Sequence, residues 1–394
     1  MIRKESRLKV LSSGIFCLML TMGLARFSYT PMLPVMFEQT ELTKVMAGWL
    51  ASINYMGYMI GALTATVVGN LVIKDRIYRA GLVLAVITTF MMGFAESPWL
   101  WGISRFVAGF SSAAGLLIGS GLMLNWLFRH HHRSEMGVHF SGVGIGISLV
   151  AFLVGCSDYL AWHEQWWLLG AVGIVLAVPA WRWLPAPDIS GITKTGQVLR
   201  DNPPSRRFLW LMILVYFCAG FGFVISATYI VTIIENQAAL VGQGNITFFI
   251  LGFSAAPACI IWDFVCRRIG ILNALMVAFL FHAVGIVLPV LGDSLFLALM
   301  SAGLYGFTFI GIVSMVLTMA GRFYPTKPSK LMGLLTMSYG VPQIIAPTIA
   351  GYMASALGNY NAVLIMASSF VILGFFTLII LKSWAADDVN KLTA

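Results

Sequence analysis

The sequence predicts an all-α membrane protein with twelve transmembrane helices in two pseudo-symmetric six-helix bundles. Three observations lead to this fold class. Hydrophobic residues make up 59% of the 394 residues and charged residues only 10%, whereas a soluble domain carries about 25% charged residues. Apolar stretches of the roughly 20 residues that a bilayer requires recur along the whole chain. Short sequence matches also repeat at half the chain length.

Twelve apolar segments result when the chain is divided at its charged residues and its Pro and Gly breaks. Each is predicted to be a helix, because lipid offers no hydrogen-bond partner to an unpaired backbone. The first segment is longer than a signal-peptide core and is predicted to be retained as helix 1. The segments begin near residues 10, 45, 78, 98, 135, 165, 208, 246, 271, 294, 330 and 360.

The distribution of basic residues predicts the orientation. Of the 24 Lys and Arg residues, 21 fall in the N-terminus, the tail and the loops that follow the even-numbered helices. Lys44 is alone on the other side, and Arg26 and Arg105 lie within apolar segments. Because cytoplasmic loops are enriched in Lys and Arg, both termini are predicted to be cytoplasmic.

A proline-rich polar connection divides the chain in half. We therefore predict an N-terminal bundle (1–184), a cytoplasmic linker (185–207) and a C-terminal bundle (208–394). The two halves share short matches at an offset of 196 or 197 residues, and this pattern favours a repeated six-helix architecture with a site between the repeats. The matches are Met136-Gly137 with Met332-Gly333, Gly144 with Gly340, and Gly109-Phe110-Ser111 with Gly306-Phe307-Thr308.

Arg26 and Arg105 are the residues that point most directly to function. A guanidinium stays protonated and must find water, an anion or a counter-charge, yet no Asp or Glu lies mid-span. At 1.5 Å per residue, Arg26 lies roughly 15 Å, Arg105 roughly 10 Å and Asn54 roughly 14 Å from the outer ends of their helices. The three side chains are thus predicted to share one polar layer.

Two interpretations of this layer remain open. In the functional one, the guanidinium groups hold a carboxylate or phosphate of the substrate. In the structural one, they bond to helix carbonyls, Asn54 or water and hold the bundle together. A third possibility is that the positive charge repels cations and protons, which leaves a neutral substrate.

Further candidate substrate-binding residues are neutral. Tyr29 follows Arg26 by three residues and Tyr58 follows Asn54 by four, so each pair shares a helix face. The second half has no matching arginine, but it carries polar residues suited to binding hydroxyl groups or stacking on a ring; their alternative role is to hold helices together. These residues are Tyr216, Tyr229, Tyr305, Tyr339 and Gln343.

Three segments resemble the major facilitator superfamily, and the resemblance extends over essentially the whole chain. They are GLARFSYTPMLP (23–34), NYMGYMIGA (54–62) and RFVAGFSSAAG (105–115). The first two are similar to the YbfB/YjiJ-like branch. The resemblance implies a monomer working by alternating access, with helices 1, 4, 7 and 10 around a central cavity that Arg26 and Arg105 face.

The run Asp75-Arg76-Ile77-Tyr78-Arg79 resembles the superfamily's loop between helices 2 and 3, although Tyr78 replaces a glycine. The resemblance implies a cytoplasmic gate formed by Asp75, Arg76 and Arg79 with Arg129 at the inner end of helix 4. The alternative is an exposed ion pair of little energetic value.

The predicted function is secondary active transport of a small organic solute across the bacterial cytoplasmic (inner) membrane. An organic anion is the favoured solute, and a coupled proton is left open. Two alternatives are efflux of amphipathic drug-like compounds by proton antiport and a non-transporting membrane sensor with the same fold.

No phosphate-binding glycine loop or hydrolase motif is present, so neither an enzyme nor a cofactor is predicted. The run His130-His131-His132 lacks a Cys or acidic ligand at metal-site spacing, so no metal is predicted. Nucleic-acid binding is not expected, because the basic residues are scattered.

Overall fold

In the part of the chain that the structure describes, twelve helical rods follow one another, a number consistent with the prediction. The computed structural model describes residues 7–133, 136–190, 198–235, 237–357, 359–384 and 388. Within these ranges the rods are α1 (Arg7–Gln39), α2 (Lys44–Val67), α3 (Leu71–Met91), α4 (Pro98–Arg129), α5 (Gly137–Cys156), α6 (Trp162–Trp183), α7 (Arg206–Glu235), α8 (Gly244–Ile269), α9 (Ile271–Val287), α10 (Leu295–Phe323), α11 (Ser329–Leu357) and α12 (Asn361–Trp384).

The rods agree with the predicted all-α membrane fold. Among the described residues, nine are long and apolar enough to cross a membrane, and the others are α2, α3 and α11. This is consistent with the predicted count of twelve. Every rod except α3 begins within about three residues of its predicted start, because breaks in the apolar pattern mark helix ends well.

The start of α3 is a correction to the sequence prediction. The helix begins at Leu71 rather than near 78, so the charged run from Lys74 to Arg79 belongs to its first turns and not to a loop. Asn70 explains the difference, because its side-chain oxygen accepts hydrogen bonds from the backbone N–H groups of Val72 and Ile73 at 2.8 and 3.2 Å. This is an N-cap, which stabilises a helix start regardless of the charges that follow.

The predicted linker between α6 and α7 is shorter than expected. Its last two residues, Arg206 and Arg207, already belong to α7. Residues 191–197 of the predicted linker lie outside the described part of the chain. The division of the chain into domains at 184 and 208 stays a prediction.

The two halves meet along two seams, α2 with α11 and α5 with α8, and the seams contain equivalent contacts. Gly137 of α5 lies so close to the carbonyl group of Cys259 that a Cβ would overlap it, and Gly333 of α11 lies in the same way against the carbonyl group of Ala62. Gly137 and Gly333 are 196 residues apart in the sequence, and their contact residues Ala62 and Cys259 are 197 residues apart. The sequence repeat therefore corresponds to a repeated packing contact.

A second pair of glycines repeats within the halves. Gly109 of α4 packs against the carbonyl oxygen of Asn54, and Gly306 of α10 packs against the carbonyl oxygen of Leu251. Both offsets are 197 residues. Close backbone approach at small residues is a common way for membrane helices to associate. Here it places α4 beside α2 at Asn54, a residue of the predicted polar layer.

One end of the described part of the molecule carries the segments 68–70, 130–133, 184–190, 198–205, 270 and 324–328 between rods. We call it the basic face, and the other end the opposite face. At the basic face the halves are joined by polar contacts. Lys74 of α3 donates to the Ser329 hydroxyl at 2.5 Å, and Asn125 of α4 donates to the carbonyl oxygen of Pro325 at 2.9 Å. The two halves are thus closed against each other at this end.

Enlarging Gly333 is expected to open this closure. In Gly333→Val the added atoms would meet the Thr66 hydroxyl and the backbone of Ala62, and overpacking of this kind costs about 1–3 kcal/mol. We expect faster hydrogen–deuterium exchange in residues 325–333 and a lower thermal midpoint. The matched control is Gly102→Ala, since the nearest atom to a Cβ there belongs to Ile53 at 3.8 Å. Unchanged exchange in the valine variant would contradict the tight seam.

Candidate functional site

A cavity of about 270 Å³ lies between the halves. Its wall follows α1 from Arg26 to Phe37 and includes Gly48 near the start of α2 and Tyr360 next to α12, so it extends from mid-helix towards the opposite face. The volume is just below the roughly 300–1,000 Å³ typical of ligand pockets. The lining residues are Arg26, Phe27, Tyr29, Thr30, Leu33, Phe37, Ala47, Gly48, Ala51, Ser52, Asn54, Tyr55, Arg105, Ala227, Thr228, Tyr229, Pro347 and Tyr360.

Arg26 lies at the inner end of the cavity, only 5% exposed. Its guanidinium carbon lies 4.2 Å from the ring centre of Tyr58 and 5.0 Å from that of Tyr55. Its Nη2 donates to the side-chain oxygen of Gln343 at 3.2 Å. The aromatic faces offset part of the cost of burying the cation.

The charge of Arg26 is not neutralised within the described residues. No carboxylate of that part of the chain lies within ion-pair distance of the guanidinium. Gln343 takes one of the five N–H bonds that a guanidinium carries. The Tyr58 hydroxyl also interacts with the guanidinium, so the remaining N–H groups of Arg26 are those available to a ligand in the cavity.

Helix α1 is irregular where it approaches Arg26. The backbone N–H of Ser28 donates to the carbonyl oxygen of Gly23 at 3.0 Å, five residues back, and regular spacing returns when Met32 donates to Ser28 at 3.1 Å. This wide turn belongs to a π-helical segment, Met19–Phe27. Between these two hydrogen bonds lie the carbonyl groups of residues 24–27. Only residues 29 and 30 can supply backbone N–H donors to these four groups, because Pro31 has no N–H. Two of these carbonyl groups therefore need donors from elsewhere.

Arg105 supplies such donors. Its Nη1 donates to the carbonyl oxygen of Ala25 at 3.1 Å and its Nη2 to that of Arg26 at 3.3 Å, while the Ser28 hydroxyl donates to Leu24. The guanidinium carbon of Arg105 also lies 4.4 Å from the ring centre of Tyr29. Its buried Nε has no partner in the described part of the chain. Arg105 is thus mainly engaged in holding α4 to the irregular turn of α1.

The second half has an equivalent contact without the charge. The Tyr305 hydroxyl of α10 donates to the carbonyl oxygen of Phe223 in α7 at 2.7 Å. Phe223 lies 197 residues after Arg26, so the same backbone position is bound from the neighbouring rod in both halves. This correspondence supports the structural interpretation of Arg105 and leaves Arg26 as the cation that has no counterpart.

The predicted substrate-binding residues fall into three groups. Five line the cavity: Arg26, Tyr29, Asn54, Arg105 and Tyr229. Tyr58 and Gln343 contact Arg26 without lining the cavity. The remaining three, Tyr216, Tyr305 and Tyr339, are buried among aromatic side chains of the second half. The structure thus brings only part of the predicted set together around one space.

The polar ends of several lining residues are already bonded to the protein. The Tyr29 hydroxyl donates to the carbonyl oxygen of Ala47, and the Tyr229 hydroxyl donates to that of Pro347, each at 3.0 Å. Their rings therefore serve as walls rather than as hydrogen-bonding groups. Thr228 differs, because its buried hydroxyl has no partner among the described residues.

Sequence reasoning missed the aromatic lining residues Phe27, Tyr55 and Tyr360. Tyr55 follows Asn54 directly, and Phe27 follows Arg26. Adjacent residues on a helix point about 100° apart, so a face assignment from three- and four-residue spacing excludes them. The π-helical turn in α1 removes that regularity, which is why Arg26 and Phe27 both reach the cavity.

The predicted gate residues lie at the basic face, away from the cavity. Asp75 accepts from Nε of Arg79 at 2.9 Å within α3, and Arg79 also donates to the carbonyl oxygens of Trp181 and Leu184 next to α6. These contacts remain within the first half. Arg76 is exposed on the same helix.

Arg129 forms an ion pair with Asp188 at 3.2 Å, and it also donates to the Asn125 side chain at 3.1 Å. The backbone N–H of Ser190 and the nearby Arg129 guanidinium hold the pKa of Asp188 below its ordinary value. The expected pairing of Asp75 with Arg129 is therefore replaced by Asp75 with Arg79 and Arg129 with Asp188.

The fold agrees with comparisons to known proteins. The family described as "Uncharacterised MFS-type transporter YbfB" matches residues 18–379. The chain therefore belongs to this family of major facilitator superfamily transporters, and it is a multi-pass membrane protein.

Individual relatives are distant. The chain is 22% identical to the uncharacterized MFS-type transporter YceJ of Bacillus subtilis, over 88% of this chain and 90% of that protein. It is 24% identical to the gentisate transporter of Corynebacterium glutamicum, over 87% and 81% of the two chains. A shorter match at 25% identity, covering 40% and 35%, relates it to the benzoate transport protein of Acinetobacter baylyi. The human organic anion transporter MFSD10 has the same fold, with a TM-score of 0.72 at 18% identity over 95% of this chain and 100% of that one.

Proposed function

We propose that this protein is a secondary active transporter that carries a small aromatic carboxylate by alternating access. One observation carries the proposal: Arg26, a cation with unused hydrogen-bonding capacity, lies in a small cavity between the halves and has no carboxylate partner in the described part of the chain. Guanidinium groups bind carboxylates through two parallel N–H bonds. A monocarboxylate of modest size is the ligand that this arrangement favours.

The cavity wall supports an aromatic substrate. The rings of Phe27, Tyr29, Tyr55, Tyr229 and Tyr360 surround the space next to Arg26. Aromatic pairs gain about 0.5–1.5 kcal/mol beyond their buried area, so a ring on the substrate contributes where an aliphatic chain contributes less. The functions for which two relatives are named, gentisate transport and benzoate transport, support the same class.

We place the basic face in the cytoplasm of a bacterium and the protein in its inner membrane, because 21 of the 24 Lys and Arg residues belong to that side. The cavity then faces outwards, while the contacts of Lys74 and Asn125 close the cytoplasmic end. This is one of the two states that alternating access requires.

We also propose that a proton is coupled to transport. Among the described residues that line the cavity none is Asp, Glu or His, so none of those side chains titrates near neutral pH. The proton therefore binds to a group other than these side chains. Uptake by this route is expected to be faster when the outside is more acidic than the inside.

The test combines binding and flux with purified protein. A thermal-shift screen against small carboxylates, sugars and drugs comes first, and we expect benzoate and gentisate to raise the thermal midpoint. Flux is then measured in vesicles with and without a pH gradient. Accumulation of labelled benzoate that follows the gradient is the expected result.

Other results would replace the proposal. Stabilisation by amphipathic cations and their extrusion would favour drug efflux instead. A thermal shift with benzoate but no flux under any gradient would favour a sensor. Sugars that bind while both carboxylates do not would exclude an anion site at Arg26.

A further inference from the structure

Gln343 lies against Arg26 at the position where a counter-ion would be expected. It belongs to α11 of the second half, is fully buried, and its Oε1 accepts from Nη2 of Arg26 at 3.2 Å. Its amide nitrogen donates to the carbonyl oxygen of Tyr339 at 3.2 Å. The two bonds set the orientation of the amide, with the oxygen towards the cation.

The contact holds Arg26 without cancelling its charge. A buried arginine is normally paired with a carboxylate, and an amide oxygen is the neutral analogue of that partner. A carboxylate differs from an amide of the same shape by one full charge. The neutrality of this side chain is therefore the feature that leaves the cavity positive.

We propose that Gln343 determines the charge selectivity of the cavity. It orients the guanidinium from the second half, yet its lack of charge leaves the cation to be neutralised by an anionic substrate. The assignment rests on the proposed function, because it presumes that the substrate carboxylate pairs with Arg26.

The geometry makes the consequence of a charged replacement specific. A guanidinium offers two bidentate edges, one formed by Nε and Nη2 and the other by Nη1 and Nη2. Nη2 belongs to both, and Nη2 is the atom that Gln343 contacts. Each of the two N–H groups on Nη2 belongs to one edge, so a carboxylate introduced at position 343 would occupy one edge and would neutralise the cation as well.

The experiment compares Gln343→Glu and Gln343→Met with the wild type. Benzoate and benzamide are the probes, since they share a ring and differ in charge, and binding is measured by calorimetry in detergent. In Gln343→Glu, we expect benzoate affinity to fall by about 30-fold or more while benzamide affinity changes by less than about threefold. The thermal midpoint without ligand is expected to rise, because the buried cation gains a counter-ion.

Gln343→Met separates selectivity from direct substrate binding. Methionine has a similar volume but accepts no strong hydrogen bond and carries no charge, so the preference for benzoate over benzamide is expected to persist. A large loss of benzoate affinity in this variant would mean that the amide binds the substrate itself, and would overturn the assignment.

Two further results distinguish the failure of this assignment from that of the proposed function. If Gln343→Glu binds benzoate as the wild type does, while Arg26→Gln does not, the assignment is wrong and the anion site at Arg26 stands. If the wild type binds neither benzoate nor gentisate, the proposed function fails and the assignment fails with it.

Discussion

Replacing Arg26 with glutamine is expected to abolish binding of benzoate and gentisate while the protein still folds. Loss of one partner of a buried charge pair costs about 2–5 kcal/mol, so affinity should fall by at least about 30-fold. Stability should change little. An unpaired arginine in the bilayer is itself unfavourable by about 2.5–3.5 kcal/mol, and this offsets the lost contacts with Tyr55, Tyr58 and Gln343.

Two matched variants make this result interpretable. Arg26→Lys keeps the charge but not the bidentate edge, so we expect an intermediate affinity, about tenfold below the wild type. Arg207→Gln removes an exposed arginine near the start of α7 and should bind both acids normally. Calorimetry and the thermal midpoint are measured for all three. Wild-type affinity in Arg26→Gln would contradict the anion site.

Much of the fold could be predicted because the membrane restricts the choices. Lipid permits only helices here, apolar length sets the number of rods, and the paired glycines at an offset near 196 reflect repeated packing contacts. The start of α3 differs from its prediction because the charged run around Asp75 resembles a loop, whereas it forms the first turns of the helix. Asn70 was the overlooked signal, since Asn before a helix is a strong N-cap.

The candidate site was predictable only in part. An arginine within an apolar segment is visible in any sequence, and both Arg26 and Arg105 line the cavity. The sequence left open which arginine binds an anion and which one holds the helices together. That depends on which carbonyl groups of α1 lack donors, and the π-helical turn that determines this has no simple sequence signature beyond Pro31.

The neutral residues of the second half show a different limit. Tyr216, Tyr305 and Tyr339 were chosen because polar aromatic side chains suit a binding site, but all three are buried in packing contacts. Residue type alone does not say whether a ring faces the cavity or the bundle. Tyr229 reaches the cavity, whereas the Tyr305 hydroxyl is bonded to the backbone of α7.

Replacing Arg105 with methionine is expected to lower stability while benzoate binding largely persists. Two buried carbonyl groups of α1 would lose their donors, at about 1–3 kcal/mol each, and the cation–π contact with Tyr29 would be lost, at about 0.5–2 kcal/mol. Removing the buried charge returns about 2.5–3.5 kcal/mol. The net loss is about 2 kcal/mol, which is visible as a lower thermal midpoint in detergent.

The two arginine variants should therefore fail in opposite ways, and this contrast is the strongest evidence that the experiment can give. Arg26→Gln should bind benzoate weakly and unfold at the wild-type midpoint. Arg105→Met should unfold at a lower midpoint and bind benzoate within about tenfold of the wild-type affinity, since only the through-space attraction between Arg105 and the carboxylate disappears. Arg105→Lys retains the charge and one point of hydrogen bonding, so its midpoint should lie between those of the wild type and the methionine variant. If Arg105→Met, assayed well below its midpoint, binds benzoate as poorly as Arg26→Gln does, then Arg105 contacts the substrate directly and both guanidinium groups form the anion site.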